Sequence, residues 1–402
     1  MFEPGGVVEP GFEGVVDAFE ANFAERDEIG AACAVYVEGR KVVDLWGGLA
    51  DAQTDRPWTE DTLVLVFSTT KGAAAVCANL LAQRGDLDLD ATIAGYWPEF
   101  AAEGKGDITV RQLLSHQTGV VVIDEELTFD DVVAWTPVAD ALARQKPRWA
   151  PGTAHGYHAT TFGWLVGELV RRVDGRSIGE FFADEVAAPL GLHFTIGTPP
   201  DTHARVARLH GQGHGGSDEE GATSTEGLDP AIRELAEQFM GPDTLTGQAM
   251  STPGGVLAQD GGYNRPALWE AEIPASNGIT DARSLARMYA ALVGEVDGVR
   301  ILDEQQVAAA ATRQIRGRDQ ILHIKSRFGL GFMLSSVFAP YGSEASFGHA
   351  GMGGSVGFAD PEHRIGFGYV MNRLDMNFNG DDRTRGLIKA TYEAIGVEPT
   401  YV

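Results

Sequence analysis

The chain is short of cysteine, of basic charge and of long apolar runs. Only Cys33 and Cys77 occur in 402 residues, each among apolar neighbours. Two cysteines cannot staple a chain of this length, so they read as buried free thiols in a reducing cytoplasm. Lys and Arg number 31 against 57 Asp and Glu, a net charge of −26. Such a surface repels nucleic acid and anionic membranes, which makes both poor partners. The longest apolar run, residues 72–82, is interrupted by Asn79. It falls far short of the ~18 residues that a bilayer span requires. The opening residues show no basic stretch followed by an apolar one, so no secretory leader is expected.

The remaining composition is ordinary for a globular protein, with 44% hydrophobic and 22% charged residues. Phe12, Val15, Val16, Phe19 and Phe23 recur at helical spacing and predict an opening amphipathic helix. Residues 31–37 and 42–46 read as two strands around a tight turn at 38–40. A short apolar segment, 63–67, leads into Ser68-Thr69-Thr70-Lys71-Gly72 and a helix-forming run to residue 83, which sets Ser68 at the start of a buried helix. Helices predominate from there to about residue 244. The clearest are 110–116 and 161–173, the latter stopping before Gly175. Residues 210–225, rich in Gly, Ser and Glu, predict an exposed loop. Strands return at 328–335, 346–349, 356–359 and 365–372, and residues 383–395 predict a closing helix. The expected fold class is α+β: an antiparallel sheet built from 1–85 and 245–402, beside a mostly helical domain of 86–244.

Chemistry starts at Ser68 and Lys71. Residues i and i+3 share a helix face, so the amine reaches the hydroxyl one turn away. A serine hydroxyl needs a neighbour to take its proton, and lysine can do so once burial lowers its pKa. Tyr157, between a Trp-Ala-Pro-Gly stretch at 149–152 and the helix from 161, is a second candidate base, because a nearby ammonium eases loss of its proton. Gly348-His349-Ala350-Gly351-Met352-Gly353-Gly354 supplies bare backbone at a strand, open to substrate. Gly353-Gly354-Ser355-Val356-Gly357 matches the Gly-x-Ser-x-Gly elbow, but a strand rather than a helix follows it, so Ser355 is rejected as nucleophile. His210 and His214 lie in the Gly-rich loop without carboxylates at ligand spacing and read as loop histidines, not metal ligands. His155 and His158 flank Tyr157 and are placed along the cleft, and His116 is expected to hold its own turn by a local hydrogen bond.

In order and spacing, Ser68-x-x-Lys71, Tyr157 and the His349-x-Gly351 strand resemble the penicillin-recognising hydrolases: class C β-lactamases, DD-peptidases and family VIII carboxylesterases. Residues 108–119 and Trp149-x-Pro151-Gly152 resemble further stretches of that family. The resemblance implies an active site in the groove between an α/β and a helical domain, with backbone N–H groups of Ser68 and Met352 as the oxyanion hole. Two positions depart from the lactamase pattern: Ala159 replaces the Asn after the tyrosine, and His349 replaces the strand Lys. Both changes weaken the grip on a carboxylate and an amide.

The reading is therefore a serine hydrolase of small carboxylic esters, with Lys71 or Tyr157 as principal base. His349, Gly351 and His158 would contact substrate or support the network, and no metal or cofactor is called for. The alternatives are a β-lactamase or peptidase, an acyltransferase, and a non-enzymatic acyl-binding sensor.

Overall fold

Strands from both ends of the chain meet in one antiparallel sheet in the computed structural model, which describes residues 3–211, 241–375 and 381–402. Its strands are β1 (Gly5–Val8), β2 (Gly30–Val37), β3 (Arg40–Asp51), β4 (Ile315–Arg318), β5 (Lys325–Phe328), β6 (Met333–Leu334), β7 (Phe347–Ala350), β8 (Val356–Asp360) and β9 (Ile365–Met371). They lie in the order β1-β3-β2-β9-β8-β7-β6-β5-β4, with the short strand Arg56–Pro57 paired to β3. The early hairpin and the late strands are thus neighbours through the pairing of β2 with β9.

The helices needed below are α1 (Glu13–Glu25), α2 (Thr70–Arg84), α3 (Thr161–Asp174), α4 (Ala282–Val293) and α5 (Asp382–Ala394). Helix α4 lies on one face of the sheet, against β9, β2 and β8. Glycines on that face set the distance: a Cβ at Gly366 would stand 2.4 Å from both Ala286 O and Ala290 N, and one at Gly368 would stand 2.5 Å from Ala282 O. The sheet therefore meets the backbone of α4 directly. On the opposite face the two terminal helices α1 and α5 pack together. There the Tyr369 hydroxyl donates to Glu28, and Arg383 of α5 joins the same buried group.

Helix α2 is apolar all round and residues 70–81 are all buried, as expected of a helix enclosed on every side. It packs against α3, whose end is closed by Gly175 at φ +97°. A second, three-stranded sheet joins Val64–Leu65 and Phe194–Thr195 to either side of Ile279–Thr280. That small sheet holds the segment before Ser68 next to residues 275–278.

The predicted helices and most strands appear where expected, within a few residues. Residues 328–335 do not form one strand: β5 ends at Phe328 and β6 holds only Met333–Leu334. Gly331 at φ +85° turns the chain between them and donates its N–H to Leu114 O, away from the sheet. Strands β1 and β4 went unread, because Gly-Gly-Val-Val and Ile-Arg-Gly-Arg lack the apolar alternation of a half-buried strand. Of the loop at 210–225, residues 212–225 lie outside the described residues, as does His214. His210 is buried, not a loop residue: its Nε2 accepts the Ala52 N–H, and its backbone bridges Arg373. Cys33 and Cys77 are both free and buried, as read.

The close contact of α4 with the sheet yields a stability test. Gly366→Val should lower the unfolding free energy by about 3 kcal/mol through overpacking, measured as a shift in the urea midpoint. A change below about 0.5 kcal/mol, the size usual for surface positions, would contradict this account.

Candidate active site

Ser68 sits in a short 3-10 turn, Phe67–Thr69, that leads into α2. Phe67 has φ +44°, a costly conformation for a bulky residue, so the turn must be held by its surroundings. The two threonines between Ser68 and Lys71 do this from opposite sides. Thr69 Oγ1 donates to Ser355 O at 3.2 Å and lies 3.1 Å from Ser355 Oγ, which itself donates to Val66 O at 2.9 Å. Thr70 Oγ1 donates to Phe67 O at 2.5 Å and accepts the Gly278 N–H at 2.8 Å. Ser355 is therefore a buried tie with its hydroxyl engaged, while Ser68 is half-buried.

Lys71 Nζ lies 3.0 Å from Ser68 Oγ, 2.6 Å from Ala159 O and 2.9 Å from Ala275 O. The side chain is fully buried, and among the described residues no carboxylate pairs with it. Desolvation holds its pKa well below that of an ordinary lysine, which favours the neutral amine. A neutral amine has two N–H donors and one lone pair. In its neutral form, with both donors on the carbonyls, the amine would turn its lone pair to the Ser68 hydroxyl 3.0 Å away. Asn277 maintains one of those carbonyls by knitting the 268–277 turn: its Oδ1 accepts from Ile273 N, and its Nδ2 donates to Leu268 O and Ala271 O.

Tyr157 stands with its ring centroid 4.8 Å from Lys71 Nζ, within an apolar cluster of Val121, Val122, Ala159, Ala249, Ile321 and Phe328. Burial pushes the phenol pKa up, and its interaction with Ser68 offsets only part of this. The shift runs opposite to the one a nearby ammonium would cause, and it favours the protonated phenol.

The structure also separates the remaining candidates. His349 is buried, its Nδ1 hydrogen-bonds Ala350 O at 2.7 Å, and its ring lies 5.9 Å from that of Tyr157. Desolvation, with a smaller contribution from Lys71, pushes its pKa down to about 3. Gly351 is a packing glycine, not an open contact for substrate: its N–H donates to Ser355 O, and a Cβ there would stand 2.2 Å from Val66 O. This close approach sets Met352 beside the Ser68 turn. The turn after Met352 is pinned by Arg383, whose Nη2 donates to Gly353 O at 2.6 Å.

His158 does not line the cleft. Its Nε2 lies 2.6 Å from Thr118 Oγ1 and its Nδ1 2.7 Å from Gly156 O, so both ring nitrogens are occupied within the protein. His155 is likewise buried, against Ser326 Oγ at 2.8 Å. His116 Nδ1 accepts the His158 N–H at 3.1 Å. This bond braces the turn before Tyr157 as well as its own.

One contributor was missed altogether. Asp319 is fully buried, and its Oδ1 accepts three N–H groups, from Tyr157 at 3.0 Å, Ile321 at 2.9 Å and Leu322 at 2.9 Å. Its Oδ2 accepts from Ser326 Oγ at 3.1 Å. Asp319 thus fixes the backbone that carries Tyr157, from 162 residues away in the chain.

Comparison with known proteins places this geometry among relatives. Residues 16–391 match the beta-lactamase family model. An esterase/beta-lactamase of Mycobacterium tuberculosis, LipL, is 39% identical over 92% of this chain and 83% of its own length. A family VIII carboxylesterase of known structure superposes with a TM-score of 0.84 at 38% identity, covering 98% of this chain and all of the other. A penicillin-binding protein homologue from Caulobacter crescentus has a TM-score of 0.83 at 36% identity, with 98% and 100% covered.

Replacing Asp319 by Ala would orphan three N–H groups together. The expected loss is about 3 kcal/mol or more of unfolding free energy, read by urea denaturation. An unchanged midpoint would mean that water or a rearranged loop replaces the carboxylate.

Proposed function

The chain belongs to the beta-lactamase family, and from that premise we propose that it is a serine carboxylesterase acting on small esters through an acyl-enzyme at Ser68. The 3.0 Å contact between Ser68 Oγ and Lys71 Nζ, an amine whose burial favours its neutral form, carries this reading. As Ser68 Oγ attacks the ester carbonyl, its proton passes to Lys71, and the Ser68 and Met352 N–H groups stabilise the tetrahedral oxyanion. Collapse breaks the ester C–O bond, and the leaving alkoxide takes the proton from the Lys71 ammonium, either directly or through the Tyr157 phenol, which Lys71 then reprotonates. Water then attacks the acyl-enzyme with Lys71 again as base, releasing the acid and restoring Ser68. No step calls on a metal or cofactor.

His349 and Ala159 favour esters over β-lactams. A histidine held neutral offers no fixed cation to a substrate carboxylate, and the Ala159 position offers only a carbonyl, already engaged by Lys71. The relatives named as esterases support the same direction. Two buried free thiols suit a reducing compartment, and we assign the protein to the cytoplasm.

Three outcomes test the proposal. Ser68→Ala should abolish hydrolysis of p-nitrophenyl esters, and Lys71→Arg, whose guanidinium stays protonated, should lower kcat by about 10³-fold. Because the base works deprotonated, kcat/KM should be lost as pH falls through the Lys71 pKa and regained as it rises. The half-point should lie well below an ordinary lysine value. Finally, His349→Lys should raise nitrocefin turnover relative to ester turnover by about tenfold, the worth of one extra ionic contact of about 1.4 kcal/mol. A ratio that stays put would remove His349 from the specificity argument.

A further inference from the structure

The esterase mechanism leaves one cluster of cations unused. In a chain with 57 acidic and 31 basic side chains, the edge hairpin β4–β5 sets Arg316 opposite Arg327 and Arg318 opposite Lys325. Directly facing like charges oppose strand pairing. Glu344, 3.6 Å from Arg327, is the one carboxylate that meets them, and Arg316, Arg318 and Lys325 have no ion-pair partner among the described residues. The Nε and Nη2 of Arg327 are buried without any hydrogen-bond acceptor. Other buried guanidinium donors of this chain lack an acceptor too, so what distinguishes Arg327 is its place on a cation-lined cavity.

Arg316, Lys325 and Arg327 line a cavity of about 580 Å³, together with Val337, Phe338 and Tyr401. Val337 and Phe338 are the apolar side of it and remain 66% and 36% exposed. Charges on an edge strand can serve simply to discourage pairing with another chain. That purpose requires neither facing cations nor orphaned guanidinium donors beside bare apolar side chains.

We propose that this cavity is a binding site for a small organic anion with an apolar body, a medium-chain carboxylate being the simplest member of the class. The guanidinium fork of Arg327 matches a carboxylate, with Arg316 facing it across the hairpin. Val337, Phe338 and Tyr401 cover an acyl chain, and the volume is that of a small-molecule site. The site is separate from the groove, since neither Ser68 nor Met352 lines it. Ser326 does line it, and its hydroxyl reaches His155 and Asp319, so the ligand would sit against the support of Tyr157. The proposal does not depend on the chemistry at Ser68.

Calorimetric titration of the full chain with octanoate, kept below its micellar concentration, tests it. The Ser68→Ala variant should bind octanoate as the wild type does, with an affinity that falls as salt rises. Binding of 1-octanol should be at least tenfold weaker. Arg327→Gln should weaken octanoate binding at least tenfold. Because Arg327 is partly buried, Arg316→Gln at an exposed position provides the second variant, with a severalfold loss and an unchanged melting temperature. Equal affinity for octanol and octanoate, or octanoate binding unaltered in both variants, would overturn the proposal. So would retention on phosphatidylglycerol vesicles without binding of monomeric octanoate, which would assign the cations to a lipid surface.

Discussion

Much of the site follows from one constraint: a lysine amine is buried where nothing negative can balance it. A charged amine there would incur a desolvation penalty of several kcal/mol, which shifts the group toward its neutral form. Two main-chain carbonyls, Ala159 O and Ala275 O, accept from Nζ and hold it 3.0 Å from Ser68 Oγ. A side-chain carboxylate in either place would hold the proton on Lys71 and abolish its use as a base. The enclosing architecture serves this condition: α2 is wrapped on all sides, and the small sheet through Ile279–Thr280 carries the 275–278 segment up to the amine.

The same constraint settles what Tyr157 can be. A phenol beside an ammonium is an incipient phenolate, whereas beside a neutral amine in an apolar cluster it keeps its proton. Tyr157 is in the second situation, and its position is fixed through the backbone, by Asp319 accepting its N–H, while the apolar cluster of Val121, Val122 and Phe328 surrounds the ring. The amine that accepts a proton and the phenol that can give one are thus separated by environment, not by residue type.

How much of this is legible in the sequence depends on what kind of atom does the work. Ser68 and Lys71 announce themselves, since their spacing is a helical turn and the run after them is apolar. The α3 helix is equally plain, with its periodic apolar face and closing Gly175. Ala159 O and Ala275 O leave no trace, because a carbonyl belongs to every residue. Asp319 is hidden for another reason: its role is to collect N–H groups from its own loop and from Tyr157, and no spacing rule connects residues 157 and 319. The burial of Tyr157 was also invisible, and it raises the phenol pKa where a nearby ammonium would lower it. Strand breaks followed the same logic. Residues 328–335 look continuous until Gly331 turns its N–H to Leu114 O, a contact made by a distant helix end.

Charge connects the groove to the surface. With burial favouring the neutral forms of both Lys71 and His349, the surroundings of Ser68 offer little positive charge to a substrate. Such a site gains nothing from a substrate that arrives already anionic, and the −26 charge of the whole chain repels one further. A neutral ester suffers neither disadvantage, and its charge appears only in the transition state. The anionic product of hydrolysis is in the opposite position: once formed it is repelled from the groove, which favours its release. The facing cations of the β4–β5 hairpin are then the exception that stands out, because they flank Ser326 on a cavity that neither Ser68 nor Met352 lines.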